Sequence, residues 1–244
     1  MIDIHSHILP GIDDGAESLA DSIKMVEELA SQGVTDIIAT PHYVDETIYM
    51  SSRRENAKLL DELQHTLSHE GIDVRLHLGN EIYICKNIDK LILFNRIAPL
   101  ADSEYLLVEL PMSGEYSGFE DILQDLMRKD YKIILAHPER YTAMQEDFGI
   151  LERIVGMGVL LQCNTGSFIR QYGKHAEKTA VKLAKNGMIF ALGSDVHHIR
   201  GNEDIKQAIK KLRKYYTANE LHKVLIQNAQ EIVGSGSLGE KFNK

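Results

Sequence analysis

No apolar run in this 244-residue chain comes near the roughly 18 residues that would cross a membrane, so a soluble protein without direct membrane insertion is expected. Met1 to His7 has no apolar stretch of the kind a cleaved signal peptide needs, and is crowded instead with polar side chains able to bind metal. There are two cysteines, Cys85 and Cys163, without the close spacing of a metal clip and too few for a disulfide framework, which fits a reducing cytoplasm. A cysteine-dependent phosphatase would carry an arginine six places after its thiolate, where this chain has Leu91 and Ile169, so both cysteines read as buried apolar groups. Basic charge is short as well: 27 Lys and Arg stand against 36 Asp and Glu, a formal net charge of -9. A nucleic-acid surface needs clustered Lys and Arg to displace counterions, so no such partner is expected.

What the chain does have is alternation. Seven β-rich runs recur, at Ile2 to His5, Val34 to Thr40, Val74 to Glu81, Tyr105 to Leu110, Tyr131 to Ala136, Val159 to Asn164 and Ile189 to Gly193. Between most of them apolar residues return at helical spacing, as in Leu19, Ile23, Val26 and Ala30. Capping boxes mark helix starts at Ser52 with Glu55, Ser117 with Glu120 and Thr217 with Glu220. Strand and helix alternating without a linker predict one α/β domain over residues 1–233, a closed or nearly closed β/α barrel, with an open doubly wound sheet as the alternative. Between Tyr83 and Asp102 a short helix around Ile88 to Ile92 is expected, ended before Pro99. The tail, 234–244, is rich in Gly and Ser and is expected to be flexible.

The chemistry lies where strands end. In Asp3-Ile4-His5-Ser6-His7 the two imidazoles are two apart on an extended strand and share a face, so both can reach one metal. Later runs end in further ligand types: His42, Glu81, Glu109, His137, and Asp195 with His197. Any one of these is, taken alone, a solvated loop edge. Six strand ends doing so together, at the mouth where β/α barrels keep their active sites, predict convergence. Imidazole and carboxylate without thiolate suit Mn, Fe or Zn. A carboxylate such as Glu81 can bridge two cations, and paired cations can supply hydroxide at neutral pH and steady a leaving oxygen. Arg140 and Arg200 follow two of the ligand loops and can clamp a phosphoryl group; the competing reading pairs them with Glu139 or Glu203. Gly15 permits a tight turn that aims either Asp13 or Asp14 inward. His65 and His69 read as a solvated helix face, and His77, His175, His198 and His222 have no assembled partners.

Taken with Asp13-Asp14-Gly15, Gly79-Asn80-Glu81-Ile82-Tyr83, His137-Pro138-Glu139-Arg140-Tyr141 and Ser194-Asp195-Val196-His197, the opening motif resembles the polymerase and histidinol phosphatase superfamily. Within it the chain resembles the bacterial protein-tyrosine phosphatases of capsular and exopolysaccharide operons. That resemblance implies a distorted seven-stranded β/α (TIM-like) barrel holding three divalent cations, usually Mn2+, with Fe, Zn or Mg as alternatives. It implies a first metal on His5, His7, Glu81 and Asp195, a second on Glu81, Glu109 and His137, and a third on Asp14, His42 and His197. Arg140 and Arg200 correspond to phosphate-contacting arginines. The implied partner is a tyrosine-phosphorylated autokinase of polysaccharide synthesis, which would place the enzyme in the cytoplasm near the inner face of the membrane. A small-molecule phosphatase, such as a histidinol-phosphate hydrolase, is the second reading. A nuclease of the same fold would need a basic groove, and a metal-bound module that holds a phosphoprotein without turnover is the reading outside enzymes.

Overall fold

The computed structural model describes residues 1–113, 118–199 and 204–234. Nine strands occur among them: β1 (Ile2–Ser6), β2 (Asp36–Ala39), β3 (His42–Tyr43), β4 (Arg75–Leu78), β5 (Glu81–Tyr83), β6 (Tyr105–Glu109), β7 (Lys132–Leu135), β8 (Leu160–Asn164) and β9 (Ala191–Gly193). The helices are α1 (Leu19–Ser31), α2 (Arg53–His69), α3 (Ile88–Leu93), α4 (Phe119–Met127), α5 (Thr142–Glu146), α6 (Gly149–Gly156), α7 (Gly173–Lys185), α8 (Asp204–Leu212), α9 (Ala218–His222) and α10 (Asn228–Gly234). Every strand pairing given by these elements is parallel, as strand–helix alternation requires.

The seven expected runs become nine strands because two of them break at the same level. Pro41 has no N–H to donate, and the run through Ile38 restarts as β3 after it. Beside it the run from Arg75 restarts as β5 after Gly79 and Asn80. A side chain at Gly79 would lie 2.7 Å from the Leu100 side chain, so the gap closes only around glycine. Asn80 bridges both interruptions, its Nδ2 donating to Pro41 O at 3.0 Å and its Oδ1 accepting from Ala98 N at 2.9 Å. The result is one sheet of three strands, in the order β1-β2-β4, and a curled sheet of six, β3-β5-β6-β7-β8-β9. The two ladders do not run on as the single seven-stranded barrel expected from the sequence. Where β9 meets β1, the contact is a bridge between Ser6 and Val196, with Asp195 N donating to His5 O at 2.9 Å.

Period-two alternation sorts the core. On β6, Leu106 and Val108 join the outer cluster beneath α4, α6 and α7, whereas Tyr105 and Leu107 join Ile4, Ile38, Ile134 and Ala191 in an inner cluster that α10 completes with Ala229 and Ile232. Glu109 continues the inner face of β6, which carries its carboxylate to the C-terminal end of the sheet. The capping boxes at Ser52 and Thr217 both form; Ser117 and residues 235–244 of the expected tail lie outside the described residues. The expected short helix between Tyr83 and Asp102 is α3. No helix among the described residues is long and apolar enough to cross a membrane.

Candidate metal centre

Nine side chains singled out from the sequence meet at the C-terminal ends of these strands. His5 and His7 project from β1 to one side, and their Nε2 atoms lie 3.2 Å apart. Each imidazole is held from behind: His5 Nδ1 faces Gln162 Oε1 at 2.9 Å, and His7 Nδ1 faces Asp13 Oδ2 at 2.8 Å. Because those oxygens accept, each Nδ1 carries the proton in the neutral ring, and the two Nε2 lone pairs point at each other. Two lone pairs at that separation repel unless a cation lies between them.

The remaining distances tell the same story. Glu81 Oε2 lies 3.2 Å from His5 Nε2, 3.4 Å from His7 Nε2 and 3.0 Å from His42 Nδ1. Asp195 Oδ1 lies 3.4 Å from both His5 Nε2 and His7 Nε2. Ligand atoms at about 2.1 Å from a tetrahedral metal stand about 3.4 Å apart, which is the spacing seen here. Glu81 Oε1 meets His137 Nε2 at 2.8 Å, and Glu109 Oε1 lies 3.8 Å from the same nitrogen. Asp14 Oδ1 stands 3.4 Å from His42 Nε2 and 3.5 Å from His197 Nε2. Glu81 Oε2, Asp195 Oδ1, His42 Nδ1 and His137 Nδ1 are buried without a hydrogen bond. A donor set of carboxylate and imidazole that leaves its own lone pairs unmatched fits divalent cations.

Geometry refines the grouping implied by resemblance. Three sets can each hold a cation: His5, His7 and Glu81; His42, Glu81 and Glu109; and His7, Asp14, His42 and His197. His42 therefore faces two groups, one through each ring nitrogen, and Glu81 sits between two. His137 and Asp195 are in none of these three sets, but Asp195 Oδ1 lies 3.4 Å from the Nε2 atoms of His5 and His7, and His137 Nε2 meets Glu81 Oε1 at 2.8 Å. Both His137 and Asp195 hold left-handed backbone, with φ of 32° and 50°, conformations that L-residues adopt at a cost and that here aim side chains inward.

The choice between Asp13 and Asp14 is decided by Gly15. A Cβ at that position would lie 2.1 Å from His7 O, so only glycine lets the turn fold back beneath β1. Asp13 is then buried behind the site, where its Oδ1 accepts from Gly15 N at 3.0 Å and its Oδ2 accepts from His7 and from His42 N at 3.0 Å. Asp14 points outward to His42 and His197 and is half exposed.

Electrostatics record how tightly like groups are packed. Burial opposes protonation of His5, but the Glu81 and Asp195 carboxylates outweigh it and hold the imidazole up to about 9. Burial, then the neighbouring Glu81 carboxylate, pushes Glu109 up to about 8. A hydrogen bond from His197 draws Asp14 down to about 2. Protons thus occupy positions that cations would take.

Arg140 is committed more fully than its sequence position indicates. Its Nη1 donates to Asp195 Oδ2 at 2.7 Å, and its guanidinium lies 4.3 Å from the centre of the Tyr172 ring. Arg200 lies outside the described residues. Gln162, Asn164 and Tyr172 were not picked out from the sequence, although Gln162 and Asn164 carry a readable signal: they are polar and two apart at the end of a strand, with the apolar Leu161 and Cys163 alternating with them. His65 and His69 are exposed on α2, as expected, and His175, His198 and His222 are exposed too. Burial pushes the Cys163 thiol well above its ordinary range, so no thiolate is available there.

Residues 1–234 match the family described as capsular polysaccharide synthesis, CpsB/CapC. The tyrosine-protein phosphatase YwqE of Bacillus subtilis is 32% identical over 231 residues, covering 94% of this chain and 90% of that protein. The tyrosine-protein phosphatase CpsB of Streptococcus pneumoniae is 25% identical over 239 residues, covering 96% and 98%. A crystal structure from work on these two proteins, described as unique metal-dependent tyrosine phosphatases, superposes with a TM-score of 0.90 at 30% identity, covering 97% of this chain and 96% of the other. A phosphotriesterase from Mycobacterium tuberculosis superposes with a TM-score of 0.56 at 13% identity over 89% of this chain and 85% of the other, a likeness of fold alone.

Proposed function

Since this chain belongs to the CpsB/CapC family of capsular polysaccharide synthesis proteins, we propose that it is a metal-dependent protein-tyrosine phosphatase, a phosphoric monoester hydrolase acting on phosphotyrosine. The observation that carries this reading is the pair of inward lone pairs on His5 and His7 beside the buried oxygens of Glu81 and Asp195.

In this reading His5, His7, Glu81 and Asp195 hold one cation, Glu81, Glu109 and His137 a second, and Asp14, His42 and His197 a third. We take manganese as the physiological metal, with Fe, Zn and Mg as alternatives of similar ligand preference. Divalent cations, when bound, supply an acidified water near neutral pH and neutralise phosphoryl charge. The protein's own contribution is position. Arg140 is fixed by Asp195 on one side and by Tyr172 on the other, so its remaining N–H groups are preorganised for phosphoryl oxygens. Arg200 is the second clamp of this proposal. A phenolate leaves readily, so no strong acid has to stand behind it.

The cluster is buried at His5, His7, Glu81 and His137, while His42 and His197 are partly exposed and Asp14 half exposed. A site open along one edge suits a phosphorylated side chain on a protein tail better than an enclosed metabolite. We therefore assign as substrate the tyrosine-phosphorylated tail of an autokinase of polysaccharide synthesis, reached in the cytoplasm near the inner face of the membrane. The two parallel sheets are read as one distorted ring of seven strand positions, in which β2 with β3 and β4 with β5 each form one interrupted strand.

The deciding experiment follows phosphate release by chelator-stripped protein, with and without added Mn2+, from phosphotyrosine peptides, phosphoserine peptides and histidinol phosphate. Mn-restored turnover of phosphotyrosine peptides is expected. Preference for histidinol phosphate would move the enzyme to small-molecule metabolism, and absence of turnover by metal-loaded protein would leave a binding module.

A further inference from the structure

Strand β8 supplies no imidazole or carboxylate to the cluster, yet two of its side chains touch the residues that do. Gln162 Oε1 accepts from His5 Nδ1 at 2.9 Å and from the backbone N of His137 at 3.2 Å. Gln162 Nε2 donates to Asn164 Oδ1 at 2.8 Å, and Asn164 Nδ2 donates to Asp195 Oδ2 at 2.6 Å. Both residues are fully buried. Asn164 is tied down further by its backbone N, which donates to Glu139 Oε1 at 2.9 Å beside Arg140. The fit allows no slack, because a Cβ at the adjoining Gly193 would lie 2.6 Å from His5 Cβ and 2.7 Å from Gln162 Nε2.

The polarity of this chain of bonds can be read in one direction only. An ionised carboxylate accepts and does not donate, so Asp195 requires the NH2 of Asn164. Asn164 then presents its oxygen to Gln162, which must answer with its own NH2. Gln162 is left with its oxygen toward His5, and that oxygen accepts Nδ1–H. The Nε2 lone pair of His5 is thereby aimed into the cluster.

We propose that Gln162 and Asn164 are positioning residues that transmit the charge of Asp195 across β8 to set the ring orientation and proton placement of His5. Resting on the metal reading of the cluster, the proposal assigns β8 as the strand that keeps His5 of β1 and the neighbouring Asp195 in register. Amide side chains suit this task. Each has one donor end and one acceptor end, so the relay has a sense of direction that two carboxylates or two hydroxyls would lack.

The test uses the full chain as wild type, Gln162→Met and Gln162→Glu. Mn2+ is titrated calorimetrically into stripped protein, and the His5 ring nitrogens are followed by 15N NMR in the Zn-loaded form. Gln162→Met keeps the volume but removes all three side-chain bonds; cation affinity is expected to fall about 10- to 100-fold, with loss of the single Nδ1–H tautomer. Gln162→Glu is isosteric and guards against a folding failure of the first variant. Its carboxylate still accepts from His5, but it faces the oxygen of Asn164, which must turn over and set that oxygen against Asp195. His5 should keep Nδ1–H while cation affinity falls about 10-fold. Wild-type affinity in a folded variant, with the His5 signals unmoved, would overturn the relay and leave the metal reading standing. Failure of the wild type itself to bind Mn2+ would overturn both.

Discussion

Stripping the metals should leave a protein whose stability falls as pH rises, the reverse of what acid denaturation alone would give. His5 is held up to about 9 against an ordinary imidazole value of 6.5, and His7 is also raised. The folded state therefore binds more protons than the unfolded state above pH 6.5. The stability His5 contributes is complete below about 6.5 and is lost as pH passes through about 9. Its shift of about 2.5 pH units is worth about 3 kcal/mol. Glu109 acts in the same sense: raised to about 8 from 4.5, it keeps a proton that the unfolded chain has lost, so its unfavourable contribution grows between about 4.5 and 8 and overlaps the lower part of this range. Burial holds His137 below its ordinary value, so that residue titrates beneath this window. His5 and Glu109 both face Glu81 and are not additive, so a total of about 3–4 kcal/mol is taken between pH 6.5 and 9. At roughly 2–4 °C per kcal/mol for a chain of this size, the melting temperature should drop by about 10 °C. Scanning calorimetry of chelated protein across that range measures it. A parallel series with Mn2+ in deoxygenated buffer should show a stabilising increment that widens with pH, because cations replace the protons that leave. A chelated protein whose melting temperature is flat or rises over this range, with a cation increment independent of pH, would refute the reasoning.

Arg140→Ala is expected to lower kcat on phosphotyrosine peptides by about 100-fold, the cost of one preorganised donor, while metal content by mass spectrometry stays near that of the parent. Asp195 keeps its bond from Asn164 in that variant, so unchanged kinetics would remove Arg140 from the reaction. Asp13→Asn preserves shape but turns one NH2 toward a neighbour that is itself a donor, since His7, Gly15 and His42 all donate to Asp13. Mn2+ affinity by calorimetric titration should fall about 10-fold. Gly15→Ala sets a methyl 2.1 Å from His7 O, so the Asp13–Gly15 turn must move. The cation served by Asp14 should be lost first, read as a lower metal-to-protein ratio in a chain that still melts cooperatively.

Convergence was legible in the sequence because it depends on a local rule applied many times. His42, Glu81, Glu109, His137 and Asp195 each follow a β-rich run, and parallel strands with helical returns carry every such end to one face. No knowledge of which strand neighbours which was needed. What stayed hidden depends on contacts between residues remote in the chain. Pro41 marks a break in a strand, but its realignment with the break at Gly79 is a matter of Asn80 reaching across 39 positions. Arg140 reads in the sequence as a phosphate clamp or as a partner of Glu139 or Glu203, and its contact with Asp195, 55 positions on, is visible only in the structure.

The same distinction explains why ligands were easier to find than the residues that hold them. A ligand set announces itself by type, since imidazoles and carboxylates at six strand ends together are hard to read as six separate loop edges. Gln162 and Asn164 are ordinary polar residues whose meaning lies in which atom faces which neighbour. Their pattern in the strand is visible, polar positions alternating with Leu161 and Cys163, and it says only that one face of β8 is not apolar. Whether such a face is wet or dry decides its role, and both side chains are fully buried. Buried amides must spend their donors and acceptors on specific partners. A strand that alternates amides with apolar residues, at the level where its neighbours end in metal-binding types, is therefore the place to look for the polar scaffold of such a site. The ligand set alone can gather cations; the directions in which the His5 ring and the Asp195 carboxylate point are set by a strand that contributes no ligand of its own.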